Sequence, residues 1–156
     1  MTDIQNVDAV RTAGLELAAQ ASNARLNGLE PSGSSTWAHS IVTRNDKFPA
    51  SVGPWPPRVP KWRATLLAMY RPDARWSFTA GARHSGRRYG TLDNSDPNTA
   101  ICTGVSSFLV ADVRVQYRID RQWLAAAGID SLVNRTYWAI HPDTRRTFDA
   151  ELCSDL

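Results

Sequence analysis

The chain has 156 residues, of which 42% are hydrophobic and 21% charged, with nine Gly, nine Pro and a formal net charge of +3; this is one domain's worth of material, too apolar and aromatic for a disordered segment. It contains no stretch of roughly 18 uninterrupted apolar residues, the length a spanning helix needs. A mean hydropathy of −0.37 still permits a membrane barrel, whose strands alternate apolar and polar side chains.

Period-two alternation runs the length of the chain and predicts strands at about residues 10–21, 29–41, 62–70, 76–84, 108–118, 123–132 and 146–156. Pro31 falls inside the second of these, where its missing N–H predicts an interruption of the ladder. Trp55, held between Pro54 and Pro56 in the following connection, is either a loop anchor or an exposed platform for a ligand. In the fourth segment Trp76, Phe78, Ala80 and Ala82 alternate with Ser77, Thr79, Gly81 and Arg83. In the fifth, Leu109, Ala111, Val113, Val115 and Tyr117 alternate with Asp112, Arg114, Gln116 and Arg118. The last segment carries Phe148, Ala150, Leu152, Ser154 and Leu156 on one parity. The fold class this predicts is all-β, an antiparallel meander of about seven strands.

The connections alternate in length. Residues 22–28, 71–75 and 119–122 are short; residues 42–61, 85–107 and 133–145 are long and rich in Pro, Gly, Asn, Asp and Ser. Long structureless loops at every second connection are unusual in a compact domain. They are the pattern of an outer-membrane barrel, with tight turns at one end and long loops at the other.

Two of the short connections share the frame Y-R-x-D-x-x-W: Tyr70 to Trp76, and again Tyr117 to Trp123, offset by 47 positions. Gly81 and Gly128 keep the same offset. Each copy sets a Tyr at the end of one strand and a Trp at the start of the next. Such rings favour the headgroup zone of a membrane. Tyr70, Trp76, Tyr117 and Trp123 are therefore the expected membrane-interface aromatics, against the alternative that they are ordinary strand residues beside polar turns.

No catalytic or metal constellation emerges. His39, His84 and His141 are far apart, Cys102 and Cys153 fit no metal spacing, and Asp93 to Asp96 lacks the Gly and terminal Glu of a calcium loop. The basic residues are scattered without a run of about five, so they read as solvated surface and not as a nucleic-acid interface. The first twenty residues lack the basic start and apolar core of a secretory signal.

Stretches in the order VRTAGLELA (10–18), PPRVPKWRATLLAMYRP (56–72), WSFTAGARHSGRRYGTLDNSD (76–96), SSFLVADVRVQYRID (106–120), AAAGIDSLVNRTYW (125–138) and RRTFDAELCSDL (145–156) resemble the C-terminal part of the barrel of TonB-dependent outer-membrane receptors. These receptors import ferric siderophores and similar solutes. The resemblance implies an open, curved segment of a transmembrane β-barrel, no enzyme activity, no cofactor, and outer-membrane lipid and the barrel-assembly machinery as partners. Ferric siderophore and TonB would be partners of the complete receptor. It also implies that Asp112, Arg114, Gln116 and Arg118 face the lumen, where such residues hold a plug; a solvated polar face is the plainer reading. Phe148, Leu152 and Leu156 would form the C-terminal assembly signal, although Leu156 stands where the family has Phe. Arg87, Arg88 and Tyr89 are the candidate ligand-contact loop, with headgroup phosphate or water as the alternative contacts. Leu67 and Met69 fall on the lumenal parity, and His84 stands outward where the family has Tyr. Plug, TonB-contacting box and signal peptide are missing from these residues, so the chain is expected to be a fragment that does not transport alone. The rival reading is a soluble antiparallel sheet that binds a partner through its apolar face, because a half-buried sheet alternates in the same way.

Overall fold

The computed structural model describes residues 7–23, 25–95, 106–134 and 146–154. They form one seven-stranded sheet in sequence order, every neighbouring pair antiparallel. The strands are β1 (Ala9–Gln20), β2 (Leu29–Arg44), β3 (Trp62–Tyr70), β4 (Trp76–Ser85), β5 (Phe108–Arg118), β6 (Trp123–Asp130) and β7 (Thr147–Ser154). The sheet is not closed, since β1 and β7 pair with one neighbour each.

All seven predicted strands are present, with small differences at the ends. β2 runs on to Arg44. β6 stops at Asp130 because Ser131 takes a left-handed backbone (φ 53°) and begins a turn closed by Asn134 N–H donating to Ser131 O. Leu156 lies outside the described residues, as do Cys102 and His141.

The interruption expected at Pro31 does not occur. In an antiparallel strand a residue's N–H and C=O point to the same neighbour. Pro31 O accepts from Ala21 N just beyond the end of β1, so the missing donor faces the last rung of that ladder. The bonds to β3 come from its neighbours, and the register passes through Pro31↔Ala68 unbroken.

Register turns the alternation of single strands into two continuous faces. One carries Leu15, Leu17, Leu66, Ala80, Val113, Val115, Ile129, Phe148 and Leu152; the other carries Glu16, Thr65, Thr79, Asp112, Arg114, Asp149 and Glu151. Among the described residues nothing covers the apolar face: Leu66 is 60% exposed and Phe148 68%. Among the described residues the buried hydrophobic side chains are only Val42, Trp55, Val110 and Ala126. A soluble domain of this size would bury one face of the sheet to offset the entropy of ordering it. This sheet needs another solvent or partner to do that.

Three tight turns lie at one end. Asp73 Oδ1 accepts from the N–H groups of Arg75 (2.7 Å) and Trp76 (2.9 Å). Asp120 Oδ1 accepts in the same way from Gln122 and Trp123, both at 2.8 Å. The repeated frame is thus a repeated Asx-type turn, in which one carboxylate satisfies the donors the chain would otherwise leave open. In the first turn Asn23 Oδ1 accepts from Gly28 N (2.9 Å), and Gly28 has φ +81°. Any Cβ at Gly28 would fall on Arg71 O, so glycine is required there twice over.

Candidate functional site

Two levels of aromatic residues bracket the apolar face. At the turn end Trp76 stands opposite Tyr117 with ring centroids 4.5 Å apart, and Phe78 stacks on Trp76 at 5.7 Å and on Tyr70 at 6.5 Å. Trp123 is on the same face, opposite Ser154. Trp76 and Trp123 are both exposed; the four aromatics singled out from the repeat share one face and one level instead of filling a core. The second level, at the loop end, was not read from the sequence. There Trp37 pairs with Trp62, and Trp62 packs on His84 at 4.6 Å. Its signal is the even spacing from Trp62 to Tyr70, which puts both on one face, eight residues apart. That spacing is about 26 Å along a strand, or about 20 Å along the normal of a barrel tilted by about 40°.

The opposite face is polar and internally paired. Arg83 Nη2 lies 3.3 Å from Asp112 Oδ2, while Asp112 Oδ1 accepts from Ser131 N at 2.9 Å. Arg114 Nη2 reaches Glu151 Oε2 at 3.0 Å and Asp149 Oδ2 at 3.5 Å, two strands away. It does so over Gly128, which stands between Arg114 and Asp149 in register; a Cβ there would strike the Asp149 carboxylate. Asp112 and Arg114 therefore have partners within the sheet, on a face whose paired side chains stay in contact with solvent. Gln116 and Arg118 continue the same row. Leu67 and Met69 share this face, and Arg71 Nη2 approaches Met69 Sδ at 2.7 Å.

At the loop end two long connections are stitched together. The side-chain amide of Asn94 both accepts from Trp55 N (2.8 Å) and donates to Trp55 O (2.7 Å), and Arg58 N donates to Tyr89 O (2.7 Å). Trp55 donates its indole N–H to Val59 O at 2.7 Å, His39 meets its ring edge-on at 5.5 Å, and Lys61 Nζ sits 5.0 Å above it. At 6% exposure Trp55 is an anchor, not a platform. Asp93, expected to be turn chemistry, accepts from Ser95 N (3.1 Å) and Ser95 Oγ (2.8 Å); the Ser95 hydroxyl bond leads the causes holding its carboxyl below the usual range. Among the described residues no cluster of three His, Cys, Asp or Glu is arranged to hold a metal ion.

The three residues of the candidate ligand loop lie on this stitched pair. The Arg87 guanidinium stacks on the Tyr89 ring at 5.0 Å. Arg88 lies over the ring of Phe108, at 5.7 Å, on the polar-face side of β5. Among the described residues its buried Nε and Nη2 find no hydrogen-bond partner, and burial lowers its pKa from the ordinary value. Two buried, unpaired guanidinium nitrogens are costly, since each unmade bond to a charged group forfeits more than about 1–3 kcal/mol.

Residues 2–132 match the sequence profile of the family described as TonB dependent receptor-like, beta-barrel. The chain belongs to that family. No curated protein matches it by sequence. Three solved structures illustrate its fold. The siderophore receptor PiuA from Acinetobacter baumannii is 22% identical, with a TM-score of 0.76, covering 94% of this chain and 22% of the receptor. The ferric citrate transporter FecA is 19% identical, with a TM-score of 0.79, covering 93% of this chain and 24% of its own. The copper transporter OprC is 16% identical, with a TM-score of 0.64, covering 94% and 24%. The chain thus spans less than a quarter of the length of these relatives. Members of this family are outer-membrane β-barrel transporters and not catalysts. This chain supplies a seven-stranded open segment of such a barrel.

Proposed function

We propose that the chain forms seven consecutive strands at the C-terminal end of a TonB-dependent receptor barrel that takes up a ferric siderophore or a similar anionic chelate. The observation that carries this reading is the uncovered apolar face framed by Trp76, Tyr117 and Trp123 at one end and Trp37, Trp62 and His84 at the other. It has the form of an outward lipid band flanked by aromatic girdles. On this reading Tyr70, Trp76, Tyr117 and Trp123 lie at the periplasmic headgroup level. Asp112, Arg114, Gln116 and Arg118 line the lumen against the plug of the complete receptor. Phe148, Leu152 and Leu156 are read by the barrel-assembly machinery.

Arg88 is the ligand contact with the most support. Its unpartnered donors belong to a guanidinium that lies over Phe108, a residue on the polar face of the sheet, and a carboxylate or catecholate oxygen would complete them with charge-assisted bonds. Arg87 and Tyr89 flank it, and the Asn94–Trp55 clamp holds the loop in place. The names of two similar structures, a siderophore receptor and a ferric citrate transporter, favour an iron chelate. By itself the open sheet has no closed pore and does not transport.

Tryptophan quenching tests the membrane reading. Reconstituted with lipids brominated near the headgroup, the chain is expected to show strong quenching that lipids brominated at the chain ends do not match. Unquenched emission in both would refute it. A receptor barrel carrying these seven strands tests the ligand contact: Arg88→Gln is expected to weaken chelate binding about tenfold or more, while Arg118→Gln, at the turn end, leaves binding unchanged.

A further inference from the structure

We infer that the loop-end corner of the apolar face, where β1, β2 and β3 meet, seats an anionic phosphorylated lipid. Its phosphate is held by Arg11, His39 and Lys61, and one of its acyl chains lies in the groove beneath them. The inference rests on the membrane reading above and narrows it from a lipid-facing band to one lipid site.

Charge gives the first argument. Within the described strands every acidic side chain lies on the polar face: Glu16, Glu30, Asp112, Asp130, Asp149 and Glu151. The apolar face carries no carboxylate, and its basic side chains are Arg11, His39 and His84, all at the loop end. Lys61, just before β3, joins them through Trp55: its Nζ sits 5.0 Å above the ring that His39 meets edge-on at 5.5 Å. At the turn end the same face shows Tyr70, Trp76, Tyr117 and Trp123 and no strand cation. On the polar face Arg71, Arg83 and Arg114 are paired with carboxylates. Among the described residues neither Arg11 nor Lys61 has such a pair, and Arg11, His39 and Lys61 are all exposed. An anion supplied from outside the chain is what this corner lacks.

Register gives the second. His39 stands opposite Ala13, one step beyond the Trp37–Trp62 pair toward the long loops, and Arg11 stands opposite Ile41, one step further on the neighbouring strand. Diagonal neighbours of this kind lie about 7–8 Å apart, so a guanidinium, a ring N–H and the Lys61 ammonium can converge on one phosphate with charge-assisted bonds. Below that spot the face is hollow. A groove of about 730 Å³ starts under the two tryptophans and follows β2 toward Pro31, with Gly33, Ser35, Ala64 and Ala82 as floor and Leu17 and Leu66 as walls. Gly33 keeps it deep, since a Cβ there would come within 3.3 Å of Leu66 Cδ1. Ser35 Oγ accepts from Trp62 Nε1 at 2.8 Å, so the indole N–H needs no water where an acyl chain would exclude it. Cations, then indoles, then an apolar trough is the order in which a phospholipid presents phosphate, glycerol region and chain. An acidic peptide would answer the cations and leave the trough empty.

The test uses the full 156-residue chain in phosphatidylcholine bilayers with a minor share of phosphatidic acid, bromine being carried on the acyl chains of one lipid or the other. Tryptophan quenching then reads which lipid sits against the sheet. Brominated phosphatidic acid is expected to quench with an apparent affinity at least about threefold above that of brominated phosphatidylcholine, the direction set by two cations beside an anionic headgroup. The preference should vanish when Arg11→Gln, His39→Gln and Lys61→Gln are combined, and persist in Arg63→Gln, which removes an exposed cation of β3 on the polar face. It should fall in Ala64→Leu, which fills the groove floor, and stand unchanged in excess inorganic phosphate. Equal quenching by the two lipids would overturn the inference. So would a loss as large in Arg63→Gln, which would mean bulk charge, or displacement by inorganic phosphate, which would mean a free-anion site. An unchanged preference in Ala64→Leu would overturn the acyl seat, and one that survives Trp37→Phe with Trp62→Phe would put the lipid elsewhere. Quenching without preference sinks this site alone, whereas no quenching by either lipid sinks the membrane reading and the site with it.

Discussion

Asn94 holds Trp55 by both of its backbone polar groups, accepting from Trp55 N at 2.8 Å and donating to Trp55 O at 2.7 Å across 39 residues of sequence. A strand partner would satisfy the same two groups in the same way, so the side chain acts as a one-residue piece of sheet between two loops. Asn94 itself is left-handed, with φ 55°, a conformation its short amide tolerates.

Asn94→Ala is expected to release the β2–β3 connection from the β4–β5 connection. Each lost bond is worth about 0.5–1.5 kcal/mol, and the left-handed backbone adds to the cost. Hydrogen exchange at Trp55 and Arg58 should rise at least tenfold, with the strands unaffected. Asn94→Asp keeps the acceptor and loses the donor, so its effect should fall between. Unchanged exchange in both variants would show that the clamp is idle.

Leu66 and Leu67 are adjacent and face opposite ways: Leu66 pairs with Ala82 on the apolar face, Leu67 with Gly81 on the polar one. Arg at position 66 should destabilise the lipid-inserted sheet by about 2–4 kcal/mol, the cost of a cation near the bilayer midplane. Arg at position 67 should cost less than about 1 kcal/mol. Denaturant titration of the reconstituted complex reads the difference, and equal costs would contradict the assignment of faces.

The turn at Asp73 sets a pH dependence. The N–H of Arg75 first, and that of Trp76 next, hold its carboxyl below the ordinary value of 3.8. A depressed folded pKa means that the turn is stabilised above the unfolded pKa and loses that support as pH falls through the folded one. Protection of the Arg75 and Trp76 amides is therefore expected to be constant from neutral pH down to about 4 and to fall below it. Asp73→Asn, which keeps the acceptor without the charge, should flatten that profile.

Gly128 lets Arg114 reach Asp149 and Glu151. Gly128→Ala should push the Asp149 carboxylate away and remove one arm of the ion pair. Because all three charges are partly exposed, a double-mutant cycle between Arg114 and Glu151 should give a coupling of about 0–1 kcal/mol. A much larger value would mean that the polar face is drier than its exposure indicates.

The strands were legible because each alternates cleanly between turn residues, and period two needs no knowledge of neighbours. Where the signal depends on neighbours, the sequence is mute. The level formed by Trp37, Trp62 and His84 exists only once β2, β3 and β4 are in register. The partners of Arg114 lie two strands away, and the clamp on Trp55 is 39 residues distant. Pro31 misled for a related reason: which neighbour its nitrogen faces follows from ladder parity, which the residue alone does not reveal. Arg88 was singled out for its charge, but its orphaned donors come from the packing of its loop.

The two aspartate turns bear on the order in which this sheet is made. Asp73 and Asp120 close their hairpins with bonds spanning two and three residues, so these contacts incur almost no loop-closure entropy. Pairing of β3 with β4, and of β5 with β6, can begin at those points before any distant contact exists and then zip toward the long loops. Nucleation is thereby stationed at the rim opposite the long loops, which leaves those loops free to diverge without jeopardising how the strands find one another.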